Sequence, residues 1–345
     1  MARYGIGDDR LLCVDGKPGS LKSGQADGIQ PRSVEVFKSL GLADEILNEA
    51  CQMWEVAFWN PDSNGSIVRT SLVPDIGVPA RYAQEFTIHQ GRLERMFSED
   101  LARYSPRGVE YDTRILSVKI DEQTNNEYPV EIEVEKISSS GQGSSDAAPS
   151  IRRIRAKHVV GCDGARSVVR RSVGLELKGE TRDHIWGVID MVADSDFPDL
   201  RRRCAIHSDA GSIMIIPRER IPSGDYITRL YVQVNDEVEA DGDGATGMEI
   251  ASEASGAAEN ISRQKSRARR AQVTFEGLLG QAKAVFRPYK LDVAAGTEID
   301  WWAAYQIGQR MADKFFVPDN KGVPRVFIAG DGKSPSVAWS KHAAY

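Results

Sequence analysis

"VVGCDGARSVVRRSVG", residues 159–174, is the stretch on which the fold turns. Val159 and Val160 read as the end of a buried strand that reaches Gly161. Asp163-Gly164 is a tight-turn pair, because a residue without Cβ takes a left-handed backbone at little cost. Ser167 stands where a helix needs an N-cap, and Val168, Val169 and Arg170 carry that helix on. Strand, turn and helix within sixteen residues make a corner of an α/β sheet. Taken alone the corner needs no ligand; its neighbours along the chain decide what it is for.

Two other stretches share its form. In "RVFIAGD" (325–331) an apolar run meets Gly330-Asp331, as the last strand of a nucleotide-binding sheet would. "RLLCVD" (10–15) is a short buried strand closed by Asp15. In a βαβ nucleotide fold the acid that ends the second strand accepts both ribose hydroxyls of an adenosine, although an acid at a strand end is as often only solvated.

Between these landmarks the pattern alternates. "QPRSVEVFKSLGLADEILNEA" (30–50) carries Val34, Phe37, Leu40, Leu42 and Ile46 on one stripe and predicts a helix broken near Gly41. A second amphipathic helix is expected from His89 to Tyr104, with Leu93, Met96, Phe97 and Leu101 inward. Strands are expected at 53–59, 67–72, 109–120, 130–137 and 151–164, then at 184–193, 203–209, 211–219 and 226–235. "FEGLLGQAKAVF" (275–286) is helical. Residues 138–150 read as a flexible linker and 236–271 as a mobile insertion, acidic at its start and basic from Arg263 to Arg270.

The chain has 345 residues, 41% hydrophobic and 27% charged, with a net charge of −6. That is the profile of a globular protein and offers nothing to nucleic acid or an anionic membrane. No apolar run approaches the eighteen residues of a membrane span, and no signal peptide follows Met1, so a cytoplasmic protein is expected. Cys13, Cys51, Cys162 and Cys204 are far apart, which predicts free, mostly buried thiols and no metal site. A GxGxxG does occur, at Gly242, Gly244 and Gly247, but its flanking carboxylates would repel a pyrophosphate and no strand precedes it. The basic run "RQKSRARRAQ" (263–272) lacks interleaved aromatics and follows an acidic tract, which argues against nucleic acid.

"GCDGARSVVRRSVG" resembles the DGxxSxVR motif of the class A FAD-dependent aromatic hydroxylases, the family built on the para-hydroxybenzoate hydroxylase fold. "RVFIAGD" resembles the GD motif of the same family and follows in the order that family requires. "GQADGIQPRSVEVFKSLGLADEI", "IHQGRLERMF", "CAIHSDAGSIMIIPRE", "RLYVQV" and "WWAAYQIGQR" are similar, more narrowly, to the fungal phenol 2-monooxygenase branch. The resemblance runs from about residue 3 to 331.

It implies a mixed α/β chain: a Rossmann-like FAD-binding domain (1–55, 85–182 and 310–345) interleaved with a β-sheet substrate domain (56–84 and 183–309). It implies FAD and NADPH as cofactors, a small phenolic substrate and O2, and hydroxylation through a flavin C4a-hydroperoxide; it leaves room for a homodimer. By resemblance Asp15 meets the adenosine ribose, Asp163 and Gly164 lie near the FAD pyrophosphate with Arg170 in the same motif, Gly330-Asp331 hold the ribityl chain, and Gln90 and Arg92 face the flavin. Asp27, Arg218 and Tyr231, with Arg229 nearby, are the substrate residues. That set suits the chemistry. Electrophilic oxygen needs an electron-rich ring, a carboxylate can deprotonate a phenol, a tyrosine hydroxyl can position the phenol oxygen, and a guanidinium can stabilise the negative charge. Relative to the family's pattern, the first strand with its GxGxxG would precede Met1, and "GKSPSVAWSKHAAY" after Asp331 lacks the expected flavin-covering loop. A chain truncated at both ends is therefore expected, and with it an alternative function: a non-catalytic remnant that binds flavin weakly or not at all.

Overall fold

The structure is a computed structural model that describes residues 1–24, 26–137, 150–234 and 272–332, without the side chains of residues 180–184 and 306–307. All of the expected linker (138–150) but Ser150, which opens a strand, lies outside the described residues, as do the expected insertion with its GxGxxG and its basic run Arg263 to Arg270, and the tail from residue 333. The chain forms two compact units: Met1–Ser20, Phe97–Arg182 and Ile307–Tyr345 make the first, Leu21–Met96 and Asp183–Gln306 the second.

In the first unit, Thr113–Ile120, Val130–Lys136 and Ser150–Ala156 form an antiparallel meander. The period of two sends Val130, Ile132 and Val134 into a core with Val118, Val169 and Val326. The intervening glutamates face basic residues on the strands either side: Glu131 meets Arg155 and Lys119, Glu133 meets Arg153, and Glu135 meets Arg114. Val159–Gly161 pairs in parallel with Pro324–Ile328, so the opening motif and the GD strand are direct neighbours. The expected strand at 10–15 shrinks to Cys13–Val14, parallel to Val109–Glu110; Arg10 and Leu11 instead close a turn onto the Gly7 carbonyl.

In the second unit, a large sheet has the strand order Leu291–Val293, Leu177–Ser195, Tyr226–Gln233, Gly211–Arg220, Arg203–Ser208, Glu55–Pro61, Ile67–Pro74. The helix Phe275–Phe286, as expected from the sequence, buries Leu278, Leu279, Ala282, Val285 and Phe286 in the same core as Ile189, Ile215, Leu230 and Val232. A smaller core joins the helices Pro31–Ser39 and Ala43–Glu49 to Ile29, Phe86, Ile88 and Met96. The expected break between those helices is at Gly41, whose φ of 72° no β-branched residue would accept.

This unit takes in residues 21–55 and 85–96, assigned from the sequence to the cofactor domain. The strands Gly28–Ile29, Glu85–Thr87 and Cys51–Met53 pair with one another, and the Thr87 hydroxyl donates to the Pro217 carbonyl of the large sheet at 2.6 Å. Of the four side chains expected inward on the helix Gln90–Tyr104, Met96 is buried but Phe97 is exposed. All four cysteines are free, yet only Cys204 is buried; Cys13 and Cys162 are exposed, so the expectation of mostly buried thiols fails.

Candidate active site

Two adjacent strands of the second unit build the polar centre. In their antiparallel register Asp190 lies directly opposite Arg229, and Val188 opposite Tyr231. Arg229 and Tyr231, two apart, share a face, which is buried rather than solvated: Arg229 is 1% exposed and Asp190 fully covered. On the next strand Pro217 has no N–H to give, and the ladder slips between Pro217 and Arg220. The irregularity lets consecutive residues, Arg218 and Glu219, both be buried, where a regular strand would send them to opposite faces.

The geometry is dense. Arg229 grips Asp190 at two points, Nε to Oδ1 and Nη2 to Oδ2, both at 2.6 Å. Arg218 grips its own neighbour Glu219 at 2.9 and 3.1 Å and reaches Asp190 Oδ2 at 3.2 Å through Nη1. Asp27, delivered by the loop before Gly28–Ile29, places Oδ2 3.3 Å from Arg229 Nη1 and 3.6 Å from Arg218 Nη1. That oxygen is buried and receives no aligned hydrogen bond among the described residues. Three carboxylates thus share two guanidinium groups.

Burial pushes the Asp27 carboxyl above its ordinary range, with Arg229 and then Arg218 opposing. Burial likewise pushes the Tyr231 hydroxyl up to about 12, with Asp27 adding to the rise, so it stays protonated at neutral pH. Burial works against the Arg229 charge, but Asp190 and Asp27 outweigh it and hold its pKa above the ordinary value. Tyr231 Oη lies 3.5 Å from Arg229 Nη1, and the guanidinium sits over the Trp301 ring at 5.6 Å. The loop carrying Asp27 is held tightly there. A Cβ on Gly24, whose φ is 76°, would meet the Trp301 ring, so only glycine fits.

All four expected substrate residues, Asp27, Arg218, Arg229 and Tyr231, therefore come together. The sequence reading missed Asp190, Glu219 and His89. Asp190 carried a signal, a lone acid inside the apolar run "GVIDMVA", which a strand buries only with a partner. His89 accepts the Gly91 N–H at Nδ1, 3.1 Å, and burial with the Arg218 charge lowers its pKa, leaving a neutral ring protonated at Nε2. Gln90 and Arg92 stand on the first turn of Gln90–Tyr104. Gln90 donates to Glu94, while Arg92 donates to Glu49 and to the Arg220 carbonyl.

The first unit gathers most of the expected cofactor residues around its parallel pair. Ser167 is the N-cap it was expected to be, accepting from Arg170 N at 2.9 Å. The Asp163 carboxylate accepts from the Ser167 hydroxyl and from the backbone N–H groups of Val168 and Val169. Buried Arg170 donates to the carbonyls of Ala165 and Gly332, both at 2.9 Å, lacing the Asp163-Gly164 turn to the Gly330–Gly332 turn. The Asp331 carboxylate on that turn makes no hydrogen bond among the described residues, and burial raises its pKa. Asp15, just after the short strand Cys13–Val14, accepts from Lys17 at both N and Nζ.

This is the mixed α/β fold of the para-hydroxybenzoate hydroxylase-like flavin monooxygenases. Its likeness to p-nitrophenol 4-monooxygenase from Pseudomonas putida has a TM-score of 0.60 at 18% identity, over 96% of this chain and 68% of that one. The chain belongs to the family described as FAD binding domain, which matches residues 1–333. It is 38% identical to a 3-hydroxybenzoate 4-monooxygenase of Comamonas testosteroni over 94% of its own length, and 34% identical to a phenol 2-monooxygenase of Aspergillus fumigatus over 93%. It spans 46% of each, about half the length of the curated relatives it matches. The donor chemistry of the first unit fits FAD at Asp331. An exposed carboxylate with no hydrogen-bond donor among the described residues suits a polyhydroxyl chain. Among the described residues no cluster of metal-ligating side chains occurs, and no helix is long and apolar enough to cross a membrane.

Proposed function

We propose that this chain carries the phenol-binding centre of an FAD-dependent, NADPH-consuming aromatic monooxygenase. The observation that carries the reading is Asp27 Oδ2: a buried carboxylate oxygen, raised in proton affinity, unfilled, and flanked by two guanidinium groups. A phenol enters neutral and presents its hydroxyl to Asp27, which takes the proton. Tyr231, held protonated, donates to the resulting phenolate oxygen, and Arg229 offsets the charge that develops there. An ionised phenol is an electron-rich ring, the form that electrophilic oxygen attacks. FAD, when bound, supplies activated oxygen, and NADPH supplies the electrons.

Within the first unit, Asp331 with Gly330 would hold the ribityl chain and Asp15 the adenosine ribose. Asp163 and Gly164 would shape the backbone toward the pyrophosphate rather than offer it a carboxylate, since that carboxylate is spent on Val168 and Val169. Arg170 keeps the two turns together. Within the second unit, Gln90 and Arg92 keep the flavin-side roles that the resemblance implies, and Arg218 supports Asp27.

The test is a titration of the purified chain with FAD, followed by flavin absorbance, and then NADPH oxidation with and without phenol. Phenol should stimulate oxidation, and Asp27→Asn should lower phenol turnover by about 10²-fold or more with FAD affinity unchanged. Normal turnover in that variant would remove Asp27 as the base.

A further inference from the structure

Asp190 has no part in the scheme above, and it is the most enclosed charged group of the buried centre. Both its oxygens are taken by Arg229, and one of them by Arg218 as well. Without it, the nearest carboxylate to the Arg229 fork would be Asp27, 3.3 Å away. A free guanidinium would turn onto Asp27, donate to Oδ2 and fill the position a phenol hydroxyl needs.

We propose that Asp190 is the positioning residue of this site: facing Arg229 across the sheet, it holds the guanidinium in a two-point grip and so keeps Asp27 Oδ2 open as a base. The inference rests on the reading of Asp27 as the proton acceptor. The groups that act on Asp27 come from every neighbouring element: Arg218 and Glu219, Arg229 and Tyr231, Asp190, Glu85 and Tyr305. Those that act on Asp190's surroundings include His89 and Asp300. Asp190 repels the ionised form of Asp27 and also diverts a cation from it. Both effects favour the proton on Asp27, so their removal has one sign.

The experiment labels the whole chain with [4-13C]aspartate, identifies the Asp27 carboxyl signal by its loss in Asp27→Asn, and follows it with pH. Asp190→Asn should lower the Asp27 midpoint by at least about one pH unit, tenfold in proton affinity, and weaken phenol binding. Asp190→Glu, which keeps the charge and can still reach the fork, should restore most of the shift. An unmoved or raised midpoint in folded Asp190→Asn overturns the proposal, as does an Asp190→Glu variant that shifts Asp27 just as far. If Asp190→Asn does not fold, the Arg229 Nε–H of the unaltered chain decides. Exchange with solvent much slower than that of an exposed arginine supports the grip, and exchange at the exposed rate overturns it. Neither readout uses FAD or turnover, so this assignment and the monooxygenase reading can fail separately.

Discussion

The two units use their charged motif residues in opposite ways. In the first, Asp163 and Arg170 are spent on the backbone: one caps a helix, the other ties two turns together by their carbonyls. In the second, Asp27, Asp190, Glu219, Arg218 and Arg229 are spent on one another. Charge given to the backbone shapes a surface and leaves Asp331, beside the two turns, exposed. Charge given to charge is held under strain of desolvation, and that is where a proton affinity can be tuned. A motif therefore marks where function lies without saying whether its side chains touch the ligand or build the place for it.

The largest effect should come from unpairing the buried network. Arg229→Ala leaves three buried carboxylates, Asp190, Asp27 and Glu219, to share Arg218 alone, and a loss of about 3–5 kcal/mol in chemical denaturation is expected. A loss under about 1 kcal/mol would mean that water replaces the guanidinium, and the contrast between the units would collapse.

A second charge pair of the same unit sharpens the comparison through pH. Burial, opposed by Arg203, raises the Glu85 carboxyl from 4.5 to about 7. The folded state then binds that proton more tightly than the unfolded chain does. Its contribution to stability is complete below pH 4.5 and is lost as pH rises toward 7. Glu85→Gln should flatten the stability profile across that window by about 3 kcal/mol. An unchanged profile would assign Glu85 no titration there.

The smallest effect belongs to the first unit. Ser167→Ala removes the cap on Arg170 N and one donor to Asp163, and should cost about 1 kcal/mol, independent of pH between 6 and 8 by the size of a cap alone. A loss as large as that of Arg229→Ala would show the backbone-directed charges to be as tightly coupled as the buried cluster.

Local chemistry was legible in the residues themselves. The break at Gly41, the helix Phe275–Phe286 and the Ser167 cap depend on neighbours within a turn or two, and each is where the spacing put it. The four residues proposed for the substrate were legible only through the family resemblance, since an aspartate in a glycine-rich loop and an Arg-x-Tyr on a strand are commonplace by themselves. What the sequence could not show is long-range. Residues 85–96 pack with the substrate sheet through Thr87 and His89, which bond to Pro217 and Glu219, 130 positions away. Phe97 sits on the apolar stripe of its helix and is exposed all the same, since packing and not periodicity decides burial. Asp190 is plain in the strand "GVIDMVA", but its partner is set by strand register and its surroundings by a slipped ladder at Pro217. Turns, caps and alternation were readable in the residues, because they depend on bonds a few residues long. Only the tertiary structure decided which charges meet, because that depends on pairing between distant strands.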